Sequence, residues 1–338
     1  MASKPGEAGV GMEARKNISH TILEKLYVSF IKERQRAAIP RLKGAFPIEF
    51  KSYDGVRLVG WGTFPDQSPR GTVFLCHGYT LHSLHTMYPH YAKYLSRKYN
   101  LATLAFDFRN HGLSENAPLT FGTAESWDLR AAMDYAERNG FPGPFVVFGD
   151  SLGGLAGQRA AIEDSRIAGA VFKSSPAAPW DAIETAFYTL DILSTVRAVM
   201  TRNSLPGERL PSINLGWCFK VAHLINQAYG WDILHDGDIR YHNGNPDHKP
   251  KILYLIGEED EFGWKKTKER YDHWYPGTPS TFDVWPADAP NELKWFVLAK
   301  GMGHKFGSWD WPGFYPLLDQ FFSTILWASN NVEYKSVV

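Results

Sequence analysis

Hydrophobic and polar positions along the chain change their rhythm several times, and each change marks an element. From Phe46 the stretch "FPIEFKSYDGVRLVGWGTFP" alternates, turns at Asp54-Gly55 and alternates again, which predicts a β-hairpin. Then come short, almost unbroken apolar runs: "TVFLC" (72–76), "LATLAF" (101–106), "FVVF" (145–148) and "AGAVFK" (168–173). Between them lie stretches with helical spacing, "MYPHYAKYLSRKY" and "SWDLRAAMDYAERNG". The strand signal returns at "KILYLIG" (251–257) and "KWFVLAKG" (294–301), and "YPLLDQFFSTILWA" forms a closing helix. Apolar strands alternating with helices predict an α/β fold whose mostly parallel sheet is covered on both faces.

Two segments fall outside that rhythm. Residues 20–34 place Ile22, Leu23, Leu26, Tyr27, Phe30 and Ile31 on one helical stripe, with Lys25, Lys32, Arg34, Arg36, Arg41 and Lys43 within or after it. Such a stripe is expected to dock on the protein's own surface, with a membrane surface as the alternative. The interval from Lys173 to Lys251 is far longer than the dozen or so residues one crossover needs, so it reads as an insertion. Asp181 and Glu184 form a capping box ahead of Ile183, Phe187, Leu190, Leu193 and Val196, and "NLGWCFKVAHLINQAYG" fits a second helix that Gly230 stops. The expected division is an N-terminal extension over 1–45, a first core part over 46–175, a helical cap over 176–250 and a second core part over 251–338.

Composition narrows the function classes. The chain has 338 residues, 44% of them hydrophobic and 21% charged, with no formal net charge, which suits a large globular α/β unit and gives no basic patch for a nucleic-acid partner. Its two cysteines, Cys76 and Cys218, stand in apolar surroundings and are expected to be buried free thiols. No apolar run approaches the ~18 residues a membrane span needs, and the N-terminus lacks the apolar core of an export signal, so a cytoplasmic location is expected.

The segment "FVVFGDSLGG" carries the chemistry. A strand runs into Gly149-Asp150-Ser151-Leu152-Gly153, and a helical pattern follows. G-x-S-x-G is what a sharp strand-to-helix turn requires when it lifts a serine above a sheet, because the flanking glycines let the backbones pack closely. An aspartyl nucleophile at 150 would need glycines at 148 and 152, where Phe148 and Leu152 stand. Ser151 is the candidate nucleophile.

With "HGY", "DFRNHGLS", "GDSLGG" and a terminal "GMGH", the sequence resembles the serine hydrolases of the α/β-hydrolase superfamily, in its esterase, monoglyceride-lipase-like and serine-aminopeptidase-like branch. The likeness covers roughly 46–175 and 251–325. It implies the fold, a hydrolytic activity and a nucleophile–acid–histidine order along the chain. The matching positions are His304 in "LAKGMGHKF" as the base and Asp260 in "LYLIGEEDEF" as the acid, crowded by Glu258, Glu259 and Glu261. The oxyanion turn falls at His77-Gly78, with the backbone N–H groups of Tyr79 and Leu152 as donors. "DFRNHGLSEN" matches a D-x-R-G-x-G-x-S turn with Asn110 in place of its first glycine. Asp107, Arg109, His111, Gly112 and Ser114 are expected to brace the loop beside the site.

Four histidines (His77, His82, His85 and His90) crowd "CHGYTLHSLHTMYPH", yet no carboxylate stands among them to complete a metal site. His77 is expected to hold the turn, His82 and His85 to line the pocket mouth, and His90 to lie on the next helix. The resemblance implies hydrolysis of a small-molecule carboxylic ester without cofactor or metal. Thioester, amide, lactone or carbon–carbon cleavage would use the same residues. A membrane-associated lipase and a ligand receptor built on this fold are the other readings.

Overall fold

The computed structural model describes residues 44–79, 81–117, 120–178, 247–260, 264–274, 281–282 and 294–332. The 20–34 helix, most of the cap and Cys218 therefore lie outside the described residues. Among the described residues nine strands form one sheet: β1 (Ala45–Lys51), β2 (Arg57–Thr63), β3 (Thr72–Cys76), β4 (Ala102–Phe106), β5 (Phe145–Asp150), β6 (Ile167–Lys173), β7 (Lys251–Gly257), β8 (Thr281–Phe282) and β9 (Lys294–Ala299). Their spatial order is β1-β2-β4-β3-β5-β6-β7-β9-β8. The β1–β2 and β2–β4 pairs are antiparallel, and every later pair is parallel. The hairpin turns where Asp54-Gly55 stands, with Gly55 at φ 88°, a left-handed backbone that glycine adopts without strain.

Five helices cover the described sheet: α1 (Met87–Tyr99), α2 (Thr123–Arg138), α3 (Leu152–Glu163), α4 (Trp264–His273) and α5 (Phe314–Val332). The strands are buried on both faces, and their side chains divide by the twofold period of a strand. Phe74, Leu104, Phe106 and Val147 join one apolar layer with Leu129 and Met133 of α2, Ala156 and Ala160 of α3 and Tyr271 of α4. Val73, Leu75, Ala105, Val146 and Phe148 join the other, with Tyr88, Tyr91 and Leu95 of α1 and Phe314, Leu318 and Phe321 of α5. This is why the central strands read as continuous apolar runs rather than alternating ones. Among the described residues no helix is long and apolar enough to cross a membrane.

The arrangement sets up a site at the carboxyl ends of the parallel strands. There β3 passes into the His77-Gly78 turn, β5 into Ser151, β7 into the loop holding Asp260, and β9 into the loop holding His304.

Candidate active site

Ser151 sits between β5 and α3 at φ 50° and ψ −108°, a backbone conformation that a non-glycine residue adopts at a cost of about 1–3 kcal/mol. Surrounding bonds hold it there. Its N–H donates to the Lys173 carbonyl at 2.9 Å, and its own carbonyl accepts from Gly154 at 2.9 Å and Leu155 at 3.1 Å. A β-carbon at Gly149 would lie 2.4 Å from the Gly153 carbonyl oxygen, and one at Gly153 would lie 2.2 Å from that of Cys76. No side chain fits at either position.

His304 reaches Ser151 from the loop after β9. Its Nε2 is 3.0 Å from Ser151 Oγ, and its Nδ1 is 3.0 and 3.1 Å from the two carboxylate oxygens of Asp260. The two loops are tied together by Glu258 N–H to the Ala299 carbonyl at 3.0 Å and Glu259 N–H to the Met302 carbonyl at 2.9 Å. The Asp260 side chain is 2% exposed and that of His304 13%. Glu258 and Glu259 are exposed, and Glu258 accepts from the Gly301 N–H; Glu261 lies outside the described residues. With Nδ1–H donating to Asp260, Nε2 is left as an acceptor facing the serine hydroxyl, the tautomer needed to take its proton.

The turn after β3 closes the other side. A β-carbon at Gly78 would be 3.4 Å from Ser151 Cβ, so this turn packs directly on the serine. His77 is fully buried; its Nδ1 lies 2.9 Å from the Gly78 carbonyl, and its Nε2 is 3.0 Å from the N–H of Phe108. The Phe108 N–H must donate, so Nε2 is the acceptor and the proton sits on Nδ1. The Gly78 carbonyl shares a peptide plane with the Tyr79 N–H, and holding the oxygen turns that N–H away from the His77 ring. Leu152 opens α3 beside it, and its N–H belongs to the first turn, where helix donors point outward.

Burial holds the pKa of His77 well below its ordinary value, reinforced by the neighbouring His111. The unfolded chain takes up a proton at His77 below pH ~6.5, and the folded protein does not. This contribution to stability is therefore complete above that pH and is lost as the pH falls below it, at up to about 1.4 kcal/mol per pH unit. Urea unfolding at pH 7.5 and 5.5 checks this: His77→Gln is expected to lose less stability on acidification than wild type, and an equal loss would contradict it.

The D-x-R turn packs alongside. Asp107 accepts from the N–H groups of Ser83 (2.7 Å) and Leu113 (2.8 Å), and Arg109 pairs with Asp128 (2.7 Å) and Asp54 (2.8 Å). Asn110 stands at φ 65°, where glycine stands in the motif, and the His111 ring bonds the carbonyls of Tyr79 and Arg109. These residues touch the loop rather than Ser151. His82 and His85 lie in the turn before α1, not on a helix face, with rings 6.4 Å apart. His90 is on α1 beside Trp309 and Tyr315. Of the four histidines, His82 and His85 neighbour one another, while His90 lies on α1 among aromatic rings. Among the described residues no group of three or more His, Cys, Asp or Glu could hold a metal ion.

Sequence reasoning missed two features. Phe121, at φ 50°, stacks its ring on Tyr79 with centroids 5.7 Å apart. A buried ion pair also joins Asp150 to Lys173 at 2.9 Å. Its signal was a charge ending each of two adjacent apolar strands.

The family model described as "Serine aminopeptidase, S33" matches residues 67–228, a little under half of the chain. No curated protein matches. Among solved structures, the esterase Pf2001 of Pyrococcus furiosus is 19% identical, with 83% of this chain and 91% of that one covered at a TM-score of 0.55. The α/β hydrolase GrgF from Penicillium sp. sh18 is 17% identical, with 83% and 97% covered at 0.56. DcsB, solved with its substrate analogue, is 15% identical, with 83% and 98% covered at 0.55. At such identities these likenesses speak for the fold. Taken with the sheet order and the turns at its carboxyl edge, they show that the chain has the α/β-hydrolase fold.

Proposed function

We propose that the protein is a serine hydrolase that cleaves a small-molecule carboxylic ester through an acyl-enzyme, with Ser151 as nucleophile, His304 as base and Asp260 as the group that orients it. The observation that carries this reading is the unbroken chain from Ser151 Oγ through His304 to Asp260, each link about 3.0 Å. His304 Nε2 takes the hydroxyl proton as Oγ bonds to the acyl carbon, and passes it to the departing alkoxide when the ester C–O bond breaks. Water then attacks the acyl-enzyme and gives its proton to His304, which returns it to Ser151 Oγ as the acyl–Oγ bond breaks and the acid leaves. The N–H groups of Tyr79 and Leu152 stabilise the negative oxygen in both halves, a contribution on the order of 3 kcal/mol per donor. None of these steps calls for a cofactor.

An apolar or aromatic acyl group suits the surroundings. The stacked Tyr79 and Phe121 rings stand next to the Gly78 turn, and both are only partly buried. The 176–250 segment supplies Trp180, Phe187, Tyr188, Trp217, Phe219, Tyr229 and Trp231. The chain enters this segment from the end of β6, at the same edge of the sheet as Ser151, so these residues are proposed to share the acyl wall. Each methylene buried there is worth about 0.8 kcal/mol, roughly fourfold in kcat/KM. Nitrophenyl esters of graded length test this: kcat/KM is expected to climb from acetyl to medium-chain or aromatic acyl groups, and a flat or falling series would contradict it.

The description of the matching family favours a second reading, release of an N-terminal amino acid from a peptide. Aminoacyl anilides placed beside the ester series separate the two. Faster turnover of the anilides would replace the ester reading with this one, with the same three residues in the same roles.

A further inference from the structure

An ion pair inside an apolar layer is an uneconomical way to stabilise a fold, because well-packed hydrophobic residues of the same volume are often as good or better. Asp150 and Lys173 form such a pair. They stand opposite each other in the β5–β6 register, each two residues beyond an apolar side chain of the same face, Phe148 and Val171. Lys173 is 1% exposed and Asp150 5%. The contacts around them show what the pair does.

Lys173 Nζ lies 2.9 Å from Asp150 Oδ1 and 4.7 Å from the ring centroid of Phe306, two residues after His304. The Lys173 main-chain carbonyl accepts the Ser151 N–H at 2.9 Å. On the other side of the carboxylate, the Tyr88 hydroxyl is 3.5 Å from Asp150 Oδ2 and accepts from the Gly78 N–H at 3.3 Å. The Gly78 N–H has only a proton to give and Asp150 only lone pairs, so the chain has one direction. It runs from the Gly78 N–H to the Tyr88 hydroxyl to the Asp150 carboxylate, which the Lys173 ammonium neutralises. At its ends and middle it touches the turn carrying the Tyr79 N–H, the backbone of Ser151 and the His304 loop. Those three parts come from separate strands, and the apolar packing that otherwise surrounds them in this layer is not directional.

We propose that Lys173 is a positioning residue for hydrolysis: with Asp150 and Tyr88 it forms a buried charged brace that fixes the Gly78 turn, Ser151 and the His304 loop relative to one another. The inference rests on the serine-hydrolase reading above. Removing Lys173 alone strands the Asp150 carboxylate in an apolar layer, and the elbow has to shift to relieve it. Removing both charges leaves no such demand.

The test is inactivation of the full-length protein by an organophosphonate, resolved into a maximal rate and a half-saturating concentration. For Lys173→Met the maximal rate is expected to fall about 100-fold, the scale of a 1 Å misplacement, while half-saturation stays within about threefold. The Asp150→Asn/Lys173→Met double variant is expected to recover to within about tenfold of wild type, since the stranded charge is gone. Tyr88→Phe, which keeps the ion pair and the ring, is expected to slow the maximal rate about tenfold by cutting the link to Gly78. Circular dichroism monitors folding. If Lys173→Met does not fold, Tyr88→Phe decides, and a wild-type maximal rate in it overturns the brace. An unchanged rate in folded Lys173→Met, or a double variant as slow as the single, overturns it too. A wild type that does not react with the phosphonate overturns the serine-hydrolase reading, and this inference with it.

Discussion

Ser151→Ala is expected to lower ester turnover by about 10⁶-fold, the loss seen when a triad nucleophile is removed from an enzyme of this kind. The size of the effect follows from what remains. Alanine keeps the β-carbon and the φ of 50°, so the elbow, His304 and the turn at Gly78 stay in place. Only the atom that forms the acyl bond is gone, and His304 would have to activate a water that nothing holds against the acyl carbon. Steady-state kinetics on the best ester of the graded series checks this, together with a thermal melt to show that the variant is folded. Turnover within tenfold of wild type would remove Ser151 from the mechanism.

Asp260→Asn is expected to cost about 10⁴-fold in kcat while leaving the geometry intact. The carboxylate accepts a hydrogen bond from His304 Nδ1 at 3.0 Å, whereas an amide turned to the ring can donate instead. The imidazole proton then moves to Nε2, where it faces Ser151 Oγ and blocks proton acceptance. In the proposed mechanism Asp260 also stabilises the positive imidazole that forms as the serine attacks, and the neutral amide does this poorly. Glu258→Gln serves as the comparison, since Glu258 is exposed and its carboxylate accepts from the Gly301 N–H. It is expected to retain activity within a few-fold, as surface substitutions generally do. The reverse pattern, with Glu258→Gln inactive and Asp260→Asn near wild type, would assign the acid elsewhere.

Much of this architecture is legible in the amino-acid order because burial on both faces leaves a plain mark. β3, β5 and β7 sit between two helix layers, so "TVFLC", "FVVF" and "KILYLIG" carry almost no polar residue. The elbow is legible for a steric reason: Gly149 and Gly153 face backbone atoms of other segments at distances that no side chain tolerates. Asn110 could be read as a glycine substitute because asparagine accepts the left-handed backbone that the turn needs. Ser151 and His304 are 153 positions apart and meet only through the parallel order of the strands that carry them.

Other parts left no readable mark. α4, "WKKTKERYDH", shows no apolar stripe because its buried face is Thr267, Arg270 and Tyr271. The Arg270 guanidinium lies 4.3 Å over the Trp274 ring, and it counts as polar in any hydrophobic pattern although it is fully buried. β8 has two residues, too few for a period to show. Glu125 in α2 looks like a surface charge but is buried, accepting from the N–H groups of Thr120 and Gly122 and from the Thr120 hydroxyl. Lys173 misleads in the same way, as a charge that ends a strand inside the core. Charges held by specific partners are invisible to a pattern that sorts residues only by hydropathy.

The central claim is that Ser151 is the activated nucleophile, and the most direct measurement is to find where a fluorophosphonate bonds. Only an activated serine attacks phosphorus readily, forming an O–P bond as fluoride leaves. The wild-type protein is treated with the reagent, weighed intact, then digested and mapped by mass spectrometry. A single adduct is predicted, on the peptide carrying Ser151, and Ser151→Ala should gain no mass. An adduct on another serine, one that persists in Ser151→Ala, or a wild type that gains no mass would contradict the account.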